Sequence, residues 1–154
     1  MISVKTKPVA PIDHVRELLN EGRPEDALKF IEHLDQKTPE MENARAVCLL
    51  RLGHIEQAVN VLRKIVFHGD ICMPSDTPVL YQLNFATAML MSNYKSAARS
   101  VLDTLDTREH PEAGPVKDAV NRWVKTRGPL GRLRWRLGWY PPEPVKIDFL
   151  PGQV

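Results

Sequence analysis

Apolar residues recur along this chain with the three-to-four-residue period of an amphipathic helix, and they do so in paired blocks. Val15, Leu18 and Leu19 are followed, after a polar turn, by Ala27, Leu28, Ile31 and Leu34. Ala46, Leu49 and Leu50 are followed in the same way by Ala58, Val59, Leu62 and Ile65, and Phe85, Ala88 and Met89 by Ala97, Ala98, Val101 and Leu102. Between the blocks stand Gly22, Gly53 and the pair Ser92 and Asn93. A Gly or Asn just past a helix takes up the left-handed backbone that closes it. Alanine early in the following helix lets the two backbones approach closely. Each paired block therefore predicts two helices in an antiparallel hairpin.

The blocks are copies of one unit. Residues 19–27, 50–58 and 89–97 align, and four landmarks recur at a spacing of 39: Thr38 with Thr77, Pro39 with Pro78, Gly53 with Ser92, and Ala58 with Ala97. The first copy lies 31 residues upstream, Gly22 answering Gly53 and Ala27 answering Ala58. Repetition on this scale is the signature of stacked supersecondary units. Thr-Pro supplies a capping hydroxyl and a proline at the first helical position, and Pro24, Glu25 and Asp26 place proline and negative charge where a helix begins. Hairpins are expected over about 8–36, 38–68 and 77–106.

A break at residues 110–115 precedes one more amphipathic stretch. Val116, Ala119, Val120, Trp123 and Val124 share a stripe, with Lys117, Asp118, Asn121 and Arg122 opposite, which predicts a helix over about 115–126 that caps the open end of the stack. Residues 127–154 are basic, aromatic and rich in Pro; their Gly and Pro spacing excludes a long regular helix, leaving room for a short one over 130–140. The expected architecture is all-α: an α-α superhelix of about three antiparallel helical hairpins, a C-terminal capping helix and an irregular tail, divided into a repeat domain (8–126) and the tail (127–154).

These features resemble the tetratricopeptide repeat, a helical-hairpin unit with a small residue in its first helix, a turn glycine, an alanine five residues later and often a proline between units. The resemblance covers roughly residues 8–106. Tyr81 falls where the family often has an aromatic residue, Ala46 at its small position and Pro39 near its inter-repeat proline; Val15 and Phe85 stand at the small position in the other copies, and residues 69–76 form an insertion. By register, the resemblance implies that Arg16, Asn20, Asn43, Val47, Arg51, Gln82, Ala86 and Leu90 line a concave face. Such a face, with two arginines, amides and apolar area, suits an extended protein or peptide partner, amides bonding its backbone and arginines meeting a carboxylate. The same positions also fit plain solvated helix surface. The lysine-and-asparagine clamp by which some family members hold a terminal carboxylate is not reproduced. A non-catalytic scaffold or adaptor is the expected role.

Composition refines this picture at a few points. With 154 residues, 43% hydrophobic and 26% charged, the chain suits one compact domain or short solenoid, and it contains no apolar run long enough to span a bilayer. Its start carries two lysines without a following apolar stretch, so a secretory signal is not expected and the cytoplasm is the default. Two cysteines, Cys48 and Cys72, suit a reducing compartment. The net charge of +2 is uneven: residues 1–121 hold 14 Lys/Arg against 17 Asp/Glu, and residues 122–154 hold 7 against 2.

Catalytic, metal and phosphate-binding arrangements each require particular residues at particular spacings. His68 with Cys72, near Asp70 and Asp76, comes nearest to a ligand pair, and an irregular loop accounts for it; Gly128 and Gly131 lack the strand and Lys-Ser/Thr of a phosphate loop. No cofactor, metal or catalytic residue is expected. The tail interleaves cations and aromatics at Arg132, Arg134, Trp135, Arg136 and Trp139, a composition shared by binders of nucleic acid and anionic membrane surfaces. Packing of its leucines and tryptophans on the last hairpin, with the arginines left wet, is the favoured reading; a protein partner for the tail is the third.

Overall fold

A computed structural model describes residues 10–154, and its regular structure is helical throughout. The order is α1 (Pro11–Asn20), α2 (Pro24–Glu32), α3 (Pro39–Arg51), α4 (Ile55–Phe67), α5 (Val79–Met91), α6 (Lys95–Thr104), a single 3-10 turn (Pro111–Ala113), α7 (Gly114–Lys125) and α8 (Gly128–Arg136). Each of the first five helices packs on the next, and α3 also packs on α1 and α5, so the first helices of three antiparallel hairpins lie side by side along one face. The expected all-α stack of three hairpins with a capping helix is the observed one; residues 8 and 9 of the first predicted hairpin lie outside the described residues.

The first two turns work as the sequence implies. Gly22 (φ 72°) and Gly53 (φ 80°) are left-handed, which lets the amide of the next residue bond back into the helix, Arg23 to Leu18 and His54 to Leu49. Such a closure satisfies carbonyls that a helix end would otherwise leave bare. Ala27 and Ala58, three residues into the next helix, are fully buried where the backbones meet.

The third turn departs from this. Ser92 is extended (φ −109°, ψ −162°) and its hydroxyl donates to the Met89 carbonyl. The turn is no longer than the second one, three residues in each, but α5 already lies 40 residues after α3, from Pro39 to Val79 and from Arg51 to Met91, so Ala98 takes the buried place and Ala97 is exposed. The helix starts Ile55 and Lys95 are 40 apart, not 39.

The two Thr-Pro pairs also differ. Thr38 caps α3, its hydroxyl accepting from the Met41 amide at 3.3 Å. Thr77 is buried and its hydroxyl instead donates to the Val66 carbonyl at the end of α4. The insertion at 69–76 brings Thr77 back against the preceding helix, and the hydroxyl satisfies a carbonyl there rather than a helix start.

One apolar cluster joins α1, α2 and α3, through Val15, Leu19, Ala27, Ile31 and Val47. A larger one runs from α3 through α6 to α7 and includes Leu50, Leu62, Phe85, Leu102 and Trp123. The caps of the second cluster are Val116, Val120 and Trp123, residues of the stripe read from the sequence. Helix α8 begins two residues before the predicted short helix, because Pro129 sits in the first turn, where a missing N–H goes unneeded. It packs on α7.

Cys48 lies in the interior with no exposed surface. Burial pushes its thiol up to about 11 from an ordinary value near 9.0, against the opposing pull of the Arg51 guanidinium. A pKa raised on folding gives stability that is complete below the unfolded value and lost as pH rises through the folded one. The wild-type chain is therefore expected to lose about 2–3 kcal/mol relative to Cys48→Ala between pH 8 and pH 11, since each tenfold difference in proton affinity between folded and unfolded chain is worth about 1.4 kcal/mol. Urea unfolding of both proteins across that range checks this; a constant difference would refute it.

Candidate functional site

The face formed by α1, α3 and α5 is occupied by the chain's own residues 145–154. Past α8 the backbone turns at residues 137–144 and runs back across the hairpins. Its entry is fixed by Val145, which is buried and whose amide donates to the Leu90 carbonyl at 2.9 Å. Its far end is held by side chains from all three first helices. Arg51 reaches the carbonyls of Pro151 (Nε, 3.3 Å) and Gly152 (Nη2, 3.2 Å). Asn84 clasps Gln153 on both sides, donating to its carbonyl at 2.7 Å and accepting from its amide at 2.9 Å. Asn43 donates to the same carbonyl at 3.2 Å, and Arg16 Nε donates to the main-chain oxygen of Val154 at 3.0 Å.

Every one of these bonds to residues 151–154 ends on a main-chain atom. Side chains that bond backbone hold an extended segment with little regard to its sequence. Within 151–154 the tightest selectivity is at Gly152, while Val154 packs against the apolar cluster of α1, α2 and α3. Gly152 (φ 80°) lies so close to Val47 that an added Cβ would sit 2.9 Å from Val47 Cγ2 and 3.0 Å from Cγ1.

Asn43 and Asn84 are buried, and they also bond each other, Asn84 Nδ2 to Asn43 Oδ1 at 2.8 Å. A buried amide without partners costs several kcal/mol; here each amide is satisfied by its neighbour and by the segment. Arg51 also donates to the Leu19 carbonyl at 2.9 Å, tying the end of α3 to that of α1. Burial lowers its pKa from the ordinary value. The guanidinium stays charged, and carbonyl dipoles surround it.

Of the residues placed on the concave face by register, Arg16, Asn43, Val47, Arg51 and Leu90 do meet there. Asn20 is exposed and makes no side-chain hydrogen bond among the described residues. Gln82 is turned away, its amide donating to the Thr77 carbonyl at 2.8 Å. Ala86 is fully buried. Asn84 is a site residue that register does not place there, although an amide in the middle of the mostly apolar run VLYQLNFATAMLM is a signal in itself: a polar group there needs a buried partner.

The basic aromatic residues divide into two sets. Trp135 turns inward, edge-on to Trp123 (centroids 5.8 Å apart) and Tyr140 (4.8 Å), and its carbonyl accepts from Arg99 at 2.6 Å. Arg132, Arg134, Arg136 and Trp139 are exposed. Lys95 is buried beneath residues 142–143; burial lowers its pKa and Glu143 opposes that shift. His68 is the left-handed end of α4, and Cys72 is exposed in the loop that follows. Among the described residues no group of three or more His, Cys, Asp or Glu is placed to hold a metal ion, and no helix is long and apolar enough to cross a membrane.

No family model matches this chain, and no curated protein or solved structure matches it.

Proposed function

We propose that this protein is a non-catalytic, cytoplasmic scaffold of the tetratricopeptide type, whose concave face binds an extended segment of a partner protein, and that residues 145–154 hold that face until the partner displaces them. The reading rests on one observation: side chains of three successive hairpins converge on the backbone of residues 151–154 and leave the identity of its side chains largely free. A surface that grips its own chain through main-chain atoms offers the same donors to any extended segment that enters in the same register. Such a segment needs glycine, or a break in the chain, opposite Val47.

A partner competes with an occupant tethered in cis, whose effective concentration is on the order of millimolar. Binding is therefore gated by the stability of the tail, and loosening the tail exposes the site. Panning a peptide-display library on the full-length Gly152→Val chain tests the reading. The expected result is enrichment of extended apolar peptides with a glycine at one fixed position, none of them retained when Arg51→Ala is added. A library with no enrichment over that control would overturn it.

A further inference from the structure

Helix α8 presents a second surface, separate from the groove. Leu130, Leu133 and Leu137 are 61%, 52% and 59% exposed, and Trp139 is 67% exposed. On a helix of 3.6 residues per turn the three leucines fall within about 60° of one another, on the side opposite Trp135. Trp135 anchors the helix to α7 through Trp123, so the leucine stripe points away from the body. Arg134 and Arg136 border the stripe on its two sides, with Arg132 further round. Leu130 and Trp139 also border a cleft of about 510 Å3 that continues between Trp123, Trp135 and Pro142, extending the apolar surface beyond the stripe.

The charge around this stripe is of one sign. Residues 127–142 hold four arginines and no Asp or Glu. The two carboxylates of the tail are engaged elsewhere, Asp148 by Arg122 at 2.7 Å and Glu143 by Arg127. Arg132, Arg134 and Arg136 make no ion pair among the described residues.

We infer that the outer face of α8 docks on an anionic phospholipid surface, the leucines and Trp139 entering the acyl boundary and the arginines meeting lipid phosphates. An apolar stripe flanked by cations, on a short helix held parallel to the surface it meets, matches the requirements of such a boundary on both counts. A nucleic acid would use the arginines and leave the leucines wet, and a single exposed tryptophan offers little stacking platform.

Flotation of the full chain with vesicles tests this, using phosphatidylcholine alone and phosphatidylcholine mixed with phosphatidylglycerol. Binding to the mixed vesicles is expected to be at least tenfold tighter and to weaken as ionic strength rises. Leu133→Ser with Leu137→Ser, exposed positions whose replacement is expected to leave the circular dichroism spectrum unchanged, is expected to reduce binding at least tenfold. Arg134→Gln with Arg136→Gln is expected to reduce it several-fold for each charge removed. Tryptophan emission should shift to the blue on anionic vesicles, and Trp139→Phe should abolish that shift. Equal affinity for both vesicles, or none, overturns the inference. So does RNA binding that survives the leucine replacements without vesicle binding, or leucine replacements that alter oligomeric mass while vesicle affinity stays the same.

Discussion

Replacing Gly152 by valine is expected to tighten binding of a synthetic peptide of residues 145–154 to the full-length chain by at least tenfold. The added side chain meets Val47 at under 3 Å and must adopt φ near 80°, a conformation that costs an L-residue about 1–2 kcal/mol before any clash is counted. Overpacking adds about 1–3 kcal/mol. Each 1.4 kcal/mol lost by the tethered segment lowers its occupancy about tenfold, while the free peptide keeps its glycine and the groove keeps all its donors. Fluorescence anisotropy with a labelled peptide reads the change directly. Equal affinity of the two chains would show that residues 145–154 do not compete for the site.

Arg51→Ala carries the second large effect, on stability as well as binding. Three carbonyls lose a charged donor at once, those of Leu19, Pro151 and Gly152. Hydrogen bonds to charged groups contribute about 1.5–3 kcal/mol each, but the three share one side chain and partly regain water. A loss of about 2–4 kcal/mol is expected, a fall in Tm of roughly 5–15 °C. Arg51→Lys should recover little of it, because a single ammonium does not span carbonyls that lie on both sides of a planar fork. By contrast Arg23, exposed and paired with Glu21 and Asp26 on the surface, is expected to be replaceable by alanine with Tm nearly unchanged. Thermal melts of the three variants decide this, and a Tm for Arg51→Ala equal to that of Arg23→Ala would remove Arg51 from its central role.

The hairpins were legible because their information is local. Gly22 with Ala27 and Gly53 with Ala58 each state a turn and a close approach within nine residues, and both pairs sit where that logic puts them. The third copy misleads by one position: Ser92 and Ala97 match the spacing of Gly53 and Ala58, yet Ser92 is extended and the contact falls on Ala98. The offset enters before α5, which starts 40 residues after α3, and it is invisible in the second helix because both Ala97 and Ala98 are alanine.

Five of the eight residues placed on the concave face by register do line it. The occupant was hidden for a different reason. Nothing local in KIDFLPGQV says where that stretch goes, since the residues that grip its end, at 151–154, lie 69 to 138 residues away. The trace it leaves is in the helices it covers. Helix α5 carries apolar residues on every side, and a helix without a wet face is one covered all round. Helix α5 thus announced a covering layer that the repeats alone do not supply, whereas α3, with Glu40, Glu42, Arg45 and Arg51, did not.

Residues 145–154 also alter how the stack comes apart. Hairpins that touch neighbours alone unravel from either end, each junction yielding nearly independently. Here a bond from Arg16 to Val154 joins the first helix to the last described residue, with Asn43, Arg51 and Asn84 between. The strap laces the array into a closed loop, so fraying at one end loosens the other. Melting is thereby drawn toward a single transition, and assembly must wait for the most distant pairing to form.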